Sequence, residues 1–389
     1  MINRLSKNQN KSKMEQIDVA IIGAGIVGLA VASEVARDGR EVYVFERHET
    51  FGRETSDRSS EVKHAGIYYP KGSLKARLCV EGKEMIDQIC RENNLPYKKL
   101  GKLIVAVDES EVPALEKLVK KGNDNGVEDL RILDKKEVKE MEPDVEAVAA
   151  IYSQSTGIFS AHDLMKYFIA KAKAGSGGID PVLYGSEIVG IDKVPGGYKI
   201  TVKGQENEPV LARIVINSAG LNSDKVAEMV GINVEEAGYK LYYCKGEYFA
   251  VSNRHKSRIN RLVYPVPEHA GLGVHATLDM AGSIKLGPNV VYMSNHTQDY
   301  SIDQSHKKDF FESAKRFLPF LEYDDLQPDQ AGIRPKLYGP GMPERDFVIQ
   351  EESARGLPGL IILTGIESPG LTAAPAIGKL SGDMVNEIL

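Results

Sequence analysis

The clearest pattern in the chain is an apolar run at residues 17–22 that stops on Gly23-x-Gly25-x-x-Gly28, continues as a helical stretch, and returns as an apolar run at residues 42–45 ending on Glu46. This order predicts strand, helix and strand in a single nucleotide-binding unit. Gly23 permits the tight turn, Gly25 lets the main chain approach a pyrophosphate, and Gly28 with Ala32 lets the helix sit close to the sheet. The helix N-terminus, with Ile26 and Val27 in its first turn, presents unpaired N–H groups to the phosphates. Glu46, 18 residues beyond Gly28 and followed by Arg47, is positioned to accept hydrogen bonds from a ribose hydroxyl. The unit calls for an adenine dinucleotide and does not by itself separate NAD from FAD.

Further along, residues 48–73 form a polar segment too long for a linker, and a loop of that length inside a compact domain is usually functional. Ser73 then offers an N-cap to a helix with Leu74, Leu78, Met85, Ile86 and Ile89 at helical spacing. A strand at residues 101–107, an amphipathic helix through Val112, Leu115, Leu118 and Val119, a short helix at 135–141 and a helix at 161–173 follow. Segments 186–192 and 197–203 read as a hairpin around Pro195-Gly196-Gly197, and an apolar strand at 212–216 leads into NSAGLNSD. Between residues 241 and 286 several β-rich segments are separated by Pro and Gly, the mark of an antiparallel sheet and so of a second unit inserted into the first. A helix at 307–318 precedes the closing segments AGIRPKL, RDFVIQ and GLIILTGIESPGLTAAPAIGKL.

Composition narrows this picture. A chain of 389 residues, 42% hydrophobic and 27% charged, suits two globular domains. A net charge of −6 leaves no broad basic surface, which argues against nucleic acid as a partner. Three cysteines without metal-type spacing read as reduced thiols of a cytoplasmic protein, and no metal site is expected. Residues 1–16 are polar and basic with no apolar core, so they read as a mobile tail rather than a signal peptide. The longest apolar run, residues 19–32, falls short of the ~20 residues of a membrane span and leaves at most peripheral membrane contact.

Three distant segments, GAGIVGL with Glu46, NSAGLNSD at residues 217–224 and GIESPGLTAAPAIG at 365–378, together resemble the flavoprotein superfamily of D-amino-acid oxidase, glycine oxidase and glycerol-3-phosphate dehydrogenase. Within it, SSEVKHAGIYYPKGSLKARLCVEG at 59–82, KGEYF, YPVPEHAGLGVHATLDMAGSIKLGPN and AGIRPKL resemble the L-2-hydroxyglutarate dehydrogenase and oxidase branch. The likeness spans residues 17–389 and departs from the branch at Ser59-Ser60-Glu61, where Asn-Ser is common. It implies FAD as cofactor and an α/β fold: a Rossmann-like FAD-binding domain carrying an inserted substrate domain on a largely antiparallel sheet. The expected division is residues 17–95, 155–235 and 331–389 for FAD, and 96–154 with 236–330 for substrate. Cofactor contacts implied by the resemblance are Ser60, His64, Ala65, Gly66, Ile188, Val189, Ala219, Gly220, Gly365, Pro369, Gly370, Leu371 and Thr372. The C-terminal turn makes physical sense there, since its N–H groups and the positive end of the following helix suit the negative charge of a reduced flavin.

Oxidation of a 2-hydroxy acid requires the α-hydrogen to leave as hydride to the flavin and the hydroxyl proton to reach a base, a task suited to histidine. Of eight histidines, His64 and His275 lie in branch-like motifs, whereas His48, His162, His255, His269, His296 and His306 sit in segments that read as surface turns or helix starts. His64, followed by Ala65-Gly66, suits either the base or a covalent link to the flavin, as in some relatives; its motif makes it the favoured base. Arg334 matches the position at which glycine-oxidase-like proteins hold the substrate carboxylate, and its planar fork fits that group. Tyr69, Tyr264, Lys245, Lys285 and His275 are further candidate substrate contacts, the first four for a second carboxylate. The reading is an FAD enzyme oxidising an L-2-hydroxy acid, L-2-hydroxyglutarate foremost, with oxygen or a quinone as acceptor. Alternatives are an amino-acid or amine oxidase, a glycerol-3-phosphate dehydrogenase, and a non-enzymatic FAD protein.

Overall fold

The computed structural model describes residues 14–267, 273–294 and 296–389. The expected tail through residue 13, His269 and the rest of 268–272 lie outside the described residues. The first strand, Glu15–Ile22, begins inside the stretch expected as tail, because Glu15 and Gln16 pair in parallel with Val210 and Leu211. On its other edge Val19 to Ile22 pair in parallel with Val42–Phe45, as the nucleotide-binding pattern requires.

These strands belong to an eight-stranded sheet. Strand Val210–Asn217 gives its first half to the antiparallel hairpin Ile188–Val194 and Gly197–Val202, and its second half to the parallel strand Leu357–Thr364. One strand thus joins the N-terminal unit, the hairpin and the C-terminal segment. Helix Ile26–Val35 lies buried between the sheet and the C-terminal helix Gly370–Ile388. The seat is close: a Cβ at Gly378 would meet the Ala30 main chain at 2.8 Å. The helix Leu74–Glu92, capped by Ser73 whose hydroxyl accepts the Ala76 N–H, packs on the same C-terminal helix.

The second sheet has nine strands and is mostly antiparallel; the exception is Leu262–Pro265, which runs parallel to Lys102–Ala106. Its longest strand, Leu326–Lys336, pairs with Tyr242–Val251, so the expected boundary at 330/331 falls inside a strand. The physical reason is a ladder of partners on both sides of a register shift at Glu247/Phe249, Leu326–Pro328 and then Ala331–Lys336, which keeps Arg334 on this sheet, opposite Cys244. A three-stranded sheet of Val62–Lys63, Gly157–Phe159 and Tyr97–Lys98 lies between the two. Among the described residues no helix is long and apolar enough to cross a membrane.

The helix pair around Gly82 offers a check on this packing. A Cβ there would lie 2.2 Å from the Thr372 carbonyl oxygen and 3.0 Å from the Ala373 Cα, both main-chain atoms that cannot swing aside. Gly82→Ala is therefore expected to destabilise the fold by roughly 1–3 kcal/mol despite its better helix propensity. Urea unfolding with an unchanged slope and a lower midpoint is the expected result; an unchanged or raised midpoint contradicts the packing.

Candidate active site

Gly23 closes the first strand with its N–H donated to Phe45 at 2.8 Å and a φ of 99°, a left-handed conformation open to glycine. A Cβ at Gly28 would stand 2.1 Å from the Gly23 carbonyl oxygen and 2.6 Å from Ser218 Oγ, so the helix, the turn and the NSAGLNSD motif meet with no room for a side chain. Ser218 fastens that meeting by donating its hydroxyl to the Ile22 carbonyl at 2.9 Å. Glu46 is buried at the strand end and accepts the N–H groups of Ala24 and His48, each at 2.8 Å. Helix Ile26–Val35 starts at Gly25 without a side-chain cap at its N-cap position, although Ile26 N–H finds Ser56 Oγ at 3.0 Å; Val27 follows in the first turn.

The other expected nucleotide contacts surround this turn. Ser186 donates its N–H to the Glu46 carbonyl at 2.7 Å and leads to Ile188, which is buried, and Val189, which is exposed. Ala219 and Gly220 follow Asn217 in the turn, and a Cβ on Gly220 would meet nothing within 4 Å. Arg47 is exposed and paired with Glu54.

The C-terminal strand ends at Gly365, with a φ of 69°, and the final helix starts at Gly370 with no side-chain cap from Pro369; Leu371 packs on the first core. Thr372 in its first turn accepts the His64 N–H at 3.0 Å and donates to the Val62 carbonyl at 3.3 Å. That hydroxyl straps residues 62–64 to the helix start. Ala65 and Gly66 continue the segment as buried small residues. Glu367, between Gly365 and the helix, is buried against Lys75 at 3.1 Å and Lys336 at 3.3 Å. Tyr69 is buried with its hydroxyl bonded to Ser368, its pKa held well above the ordinary tyrosine value by burial.

Strand register assigns the remaining groups to faces of the nine-stranded sheet. Leu103, Val263, Ala276 and Phe249 point into its hydrophobic core. Alternation sends Lys102, Tyr264, His275, Thr277 and Tyr248 to the opposite face, which looks toward residues 62–69. Lys285 pairs with Thr277 on that face and forms an ion pair with Asp329 at 2.9 Å. Arg334 sits there beside Gly246, its Nη2 donating to the carbonyls of Asn289 at 2.5 Å and Lys245 at 3.2 Å, and its Nε to Cys244 at 3.4 Å. Tyr248 is hydrogen-bonded to Ser60 and feels the Arg334 charge. His275 stacks on Tyr264 with ring centroids 3.5 Å apart.

One expected contact is not brought to this face. Lys245 is one residue out of phase with Cys244 and Gly246, and its amine turns to the Ser301 carbonyl at 2.8 Å, Asp299 at 3.3 Å and the buried Glu247 at 3.6 Å. The alternation of the strand separates it from Arg334. One residue was missed. Lys102 is buried with its amine 4.8 Å from the ring centres of both Tyr68 and Tyr264, and burial pushes its pKa down to about 7 against the opposing pull of Cys79 and Asp129. The sequence signal was a lysine in phase with Ile104 and Ala106, the inward positions of its strand. Across from it, His64 is half-buried, its Nδ1 meets no hydrogen-bond partner, and burial followed by the Lys102 charge lowers its pKa to about 3.

Comparison with known proteins identifies the family and the fold. A family model, DAO, described as FAD dependent oxidoreductase, matches residues 18–384. The mitochondrial L-2-hydroxyglutarate dehydrogenase of Arabidopsis thaliana is 37% identical over 94% of this chain and 82% of its own length. The glycerol 3-phosphate dehydrogenase of Caloramator mitchellensis is 31% identical over 95% of this chain and 74% of its own. Dithionite-reduced L-alpha-glycerophosphate oxidase from Mycoplasma pneumoniae, solved with FAD bound, aligns with a TM-score of 0.84 at 26% identity, covering 96% of this chain and 95% of that one. Glycine oxidase from Bacillus cereus shares the fold, with a TM-score of 0.77 at 21% identity over 95% of each chain.

The residues fit a flavin dinucleotide. Two helix starts without side-chain caps and the unpartnered Nδ1 of His64 suit a polar ligand, and Glu46 keeps spare lone pairs for ribose. Heating the protein is expected to release FAD and no NAD, as read by chromatography. Gly28→Val, which drives a branched side chain into the Gly23 carbonyl, is expected to give protein with little bound FAD. Full occupancy in that variant contradicts the turn's assigned role.

Proposed function

The chain belongs to the FAD-dependent oxidoreductase family, and within it we propose that it oxidises an L-2-hydroxy acid, L-2-hydroxyglutarate foremost, to the 2-oxo acid. The observation that carries the reading is Arg334, fixed by three main-chain carbonyls through Nε and Nη2 on the face that looks toward His64. Those bonds leave Nη1 to meet a carboxylate, and they orient the guanidinium before substrate arrives. The resemblance to L-2-hydroxyglutarate dehydrogenases over nearly the whole chain supports the same substrate class. Bound FAD supplies the acceptor for the hydride that leaves the α-carbon.

The chain's own groups do the rest. Gly23, Gly25 and Gly28 hold the pyrophosphate, Glu46 the ribose, and residues 365–372 the flavin ring. His64, neutral throughout the physiological range, keeps an unprotonated nitrogen for the substrate hydroxyl proton. Burial is the larger cause of its low proton affinity, and a substrate carboxylate would offset the smaller one, the neighbouring Lys102 charge. His275 is the second candidate for that role. Tyr264 and Tyr248 wall the face with aromatic surface that excludes water. Oxygen or a quinone re-oxidises the flavin in this reading, and the three buried, free cysteines support a reducing compartment, the cytoplasm.

Anaerobic addition of L-2-hydroxyglutarate, L-amino acids and sn-glycerol 3-phosphate to the yellow protein tests the proposal. Bleaching by the hydroxy acid is expected; bleaching by an amino acid or the phosphate ester alone overturns it. Arg334→Lys keeps the charge but loses the planar guanidinium that the three carbonyls orient, and is expected to lower the second-order rate of flavin reduction by roughly 30-fold or more while FAD stays bound, the low end of the cost of breaking a buried charge pair. Wild-type efficiency would remove Arg334 from carboxylate binding. His64→Gln is expected to slow flavin reduction by roughly 10²- to 10⁴-fold in rapid mixing. A normal rate in that variant, with His275→Gln inactive, transfers the proton to His275.

A further inference from the structure

Among the described residues five lysines are buried, and four of them have a carboxylate partner. Lys63 pairs with Asp87, Lys75 with Glu344 at 2.9 Å and Glu367 at 3.1 Å, Lys83 with Glu84 at 3.3 Å, and Lys245 with Asp299 at 3.3 Å. Lys102, 1% exposed, has no acid within ion-pair distance and no hydrogen-bond acceptor among the described residues. Its neighbours are two aromatic faces, Tyr68 from the segment after His64 and Tyr264 from the adjacent strand, each 4.8 Å from the amine. Such faces stabilise a cation but do not neutralise it. Burying an ammonium without an anion is costly, and the fold pairs every other amine at this depth. The arrangement is that of a cation whose anion comes from outside the chain.

Lys102 also stands where a substrate group would arrive. It shares the sheet face of Tyr264, His275, Tyr248 and Arg334, and its charge acts on His64. Arg334 and Lys102 together carry two positive charges, the complement of a dicarboxylate dianion; a monocarboxylate would leave one of them uncompensated. Resting on the reading of the chain as a 2-hydroxy-acid oxidoreductase, we propose that Lys102 binds the second carboxylate of the substrate and so sets a preference for dicarboxylic over monocarboxylic 2-hydroxy acids. Cys79, Asp129 and His64 are the other titratable groups acting on or around the amine, and none of them pairs with it. Burial lowers the proton affinity of the Lys102 amine, and a bound carboxylate would favour its charged form.

The test compares L-2-hydroxyglutarate with L-2-hydroxyvalerate, which has the same carbon chain without the second carboxylate. Rapid anaerobic flavin reduction is measured in the FAD-loaded wild type and in Lys102→Met, an unbranched replacement of similar length. The ratio of second-order rate constants, glutarate over valerate, is expected to fall by roughly 30-fold or more in the variant, the loss of one buried charge partner. Calorimetric affinity for 2-oxoglutarate should weaken in parallel, and affinity for 2-oxovalerate should weaken far less. An unchanged ratio, whether both rates fall or neither does, overturns the assignment and leaves the hydroxy-acid reading intact. A wild type reduced by neither acid overturns both.

Discussion

The whole arrangement turns on the absence of space at Gly28. The Gly23 carbonyl and the Ser218 hydroxyl occupy the volume a side chain would take, so three segments distant in sequence can close on one turn. The first strand, the strand Val210–Asn217 and the first helix are locked in one geometry by that contact. The C-terminal strand then pairs onto Val210–Asn217 and delivers the last helix to the same end of the sheet. Thr372 completes the closure by binding residues on both sides of Lys63. Two helix N-termini, the buried Glu46 and His64 are thereby brought to this end of the sheet.

The second sheet uses its two faces for different physics. One buries Leu103, Val105, Phe249, Val263, Ala276 and Leu286 in a core that holds its shape. The other carries cations and tyrosines. Burial drives the phenol pKa of Tyr264 far up and keeps it protonated, and it brings the Lys102 amine down to about 7, where a neighbouring anion favours the charged form. Arg334 stays charged in the same surroundings because its carbonyl partners satisfy part of the guanidinium. Ligand binding at this face is accordingly an exchange of charge between substrate and buried groups that lack protein anions.

Much of this was legible from the chain alone, and the reasons are local. The alternation of apolar and glycine positions at 17–46 reports directly on backbone geometry, as does the Ser73 cap, whose helix appears at Leu74–Glu92. The strand at Leu326–Lys336 was harder: GIRP lies near the C-terminal flavin segment in sequence, but its partner is Tyr242–Val251, and pairing between distant strands leaves no mark on either one. The same limit hid the difference between Lys245 and Lys102. Both are single lysines in apolar strands; which one meets Asp299 and which one meets only aromatic rings depends on strand phase and on loops far away in sequence.

In the proposed reaction one bound acid spans Arg334 and His64 at the flavin edge. A crystal structure of the FAD-loaded protein with 2-oxoglutarate tests it most directly. One carboxylate is expected on the Arg334 guanidinium, with the 2-oxo oxygen within hydrogen-bond distance of His64. An acid bound away from Arg334, or one whose 2-oxo oxygen faces away from His64, contradicts it.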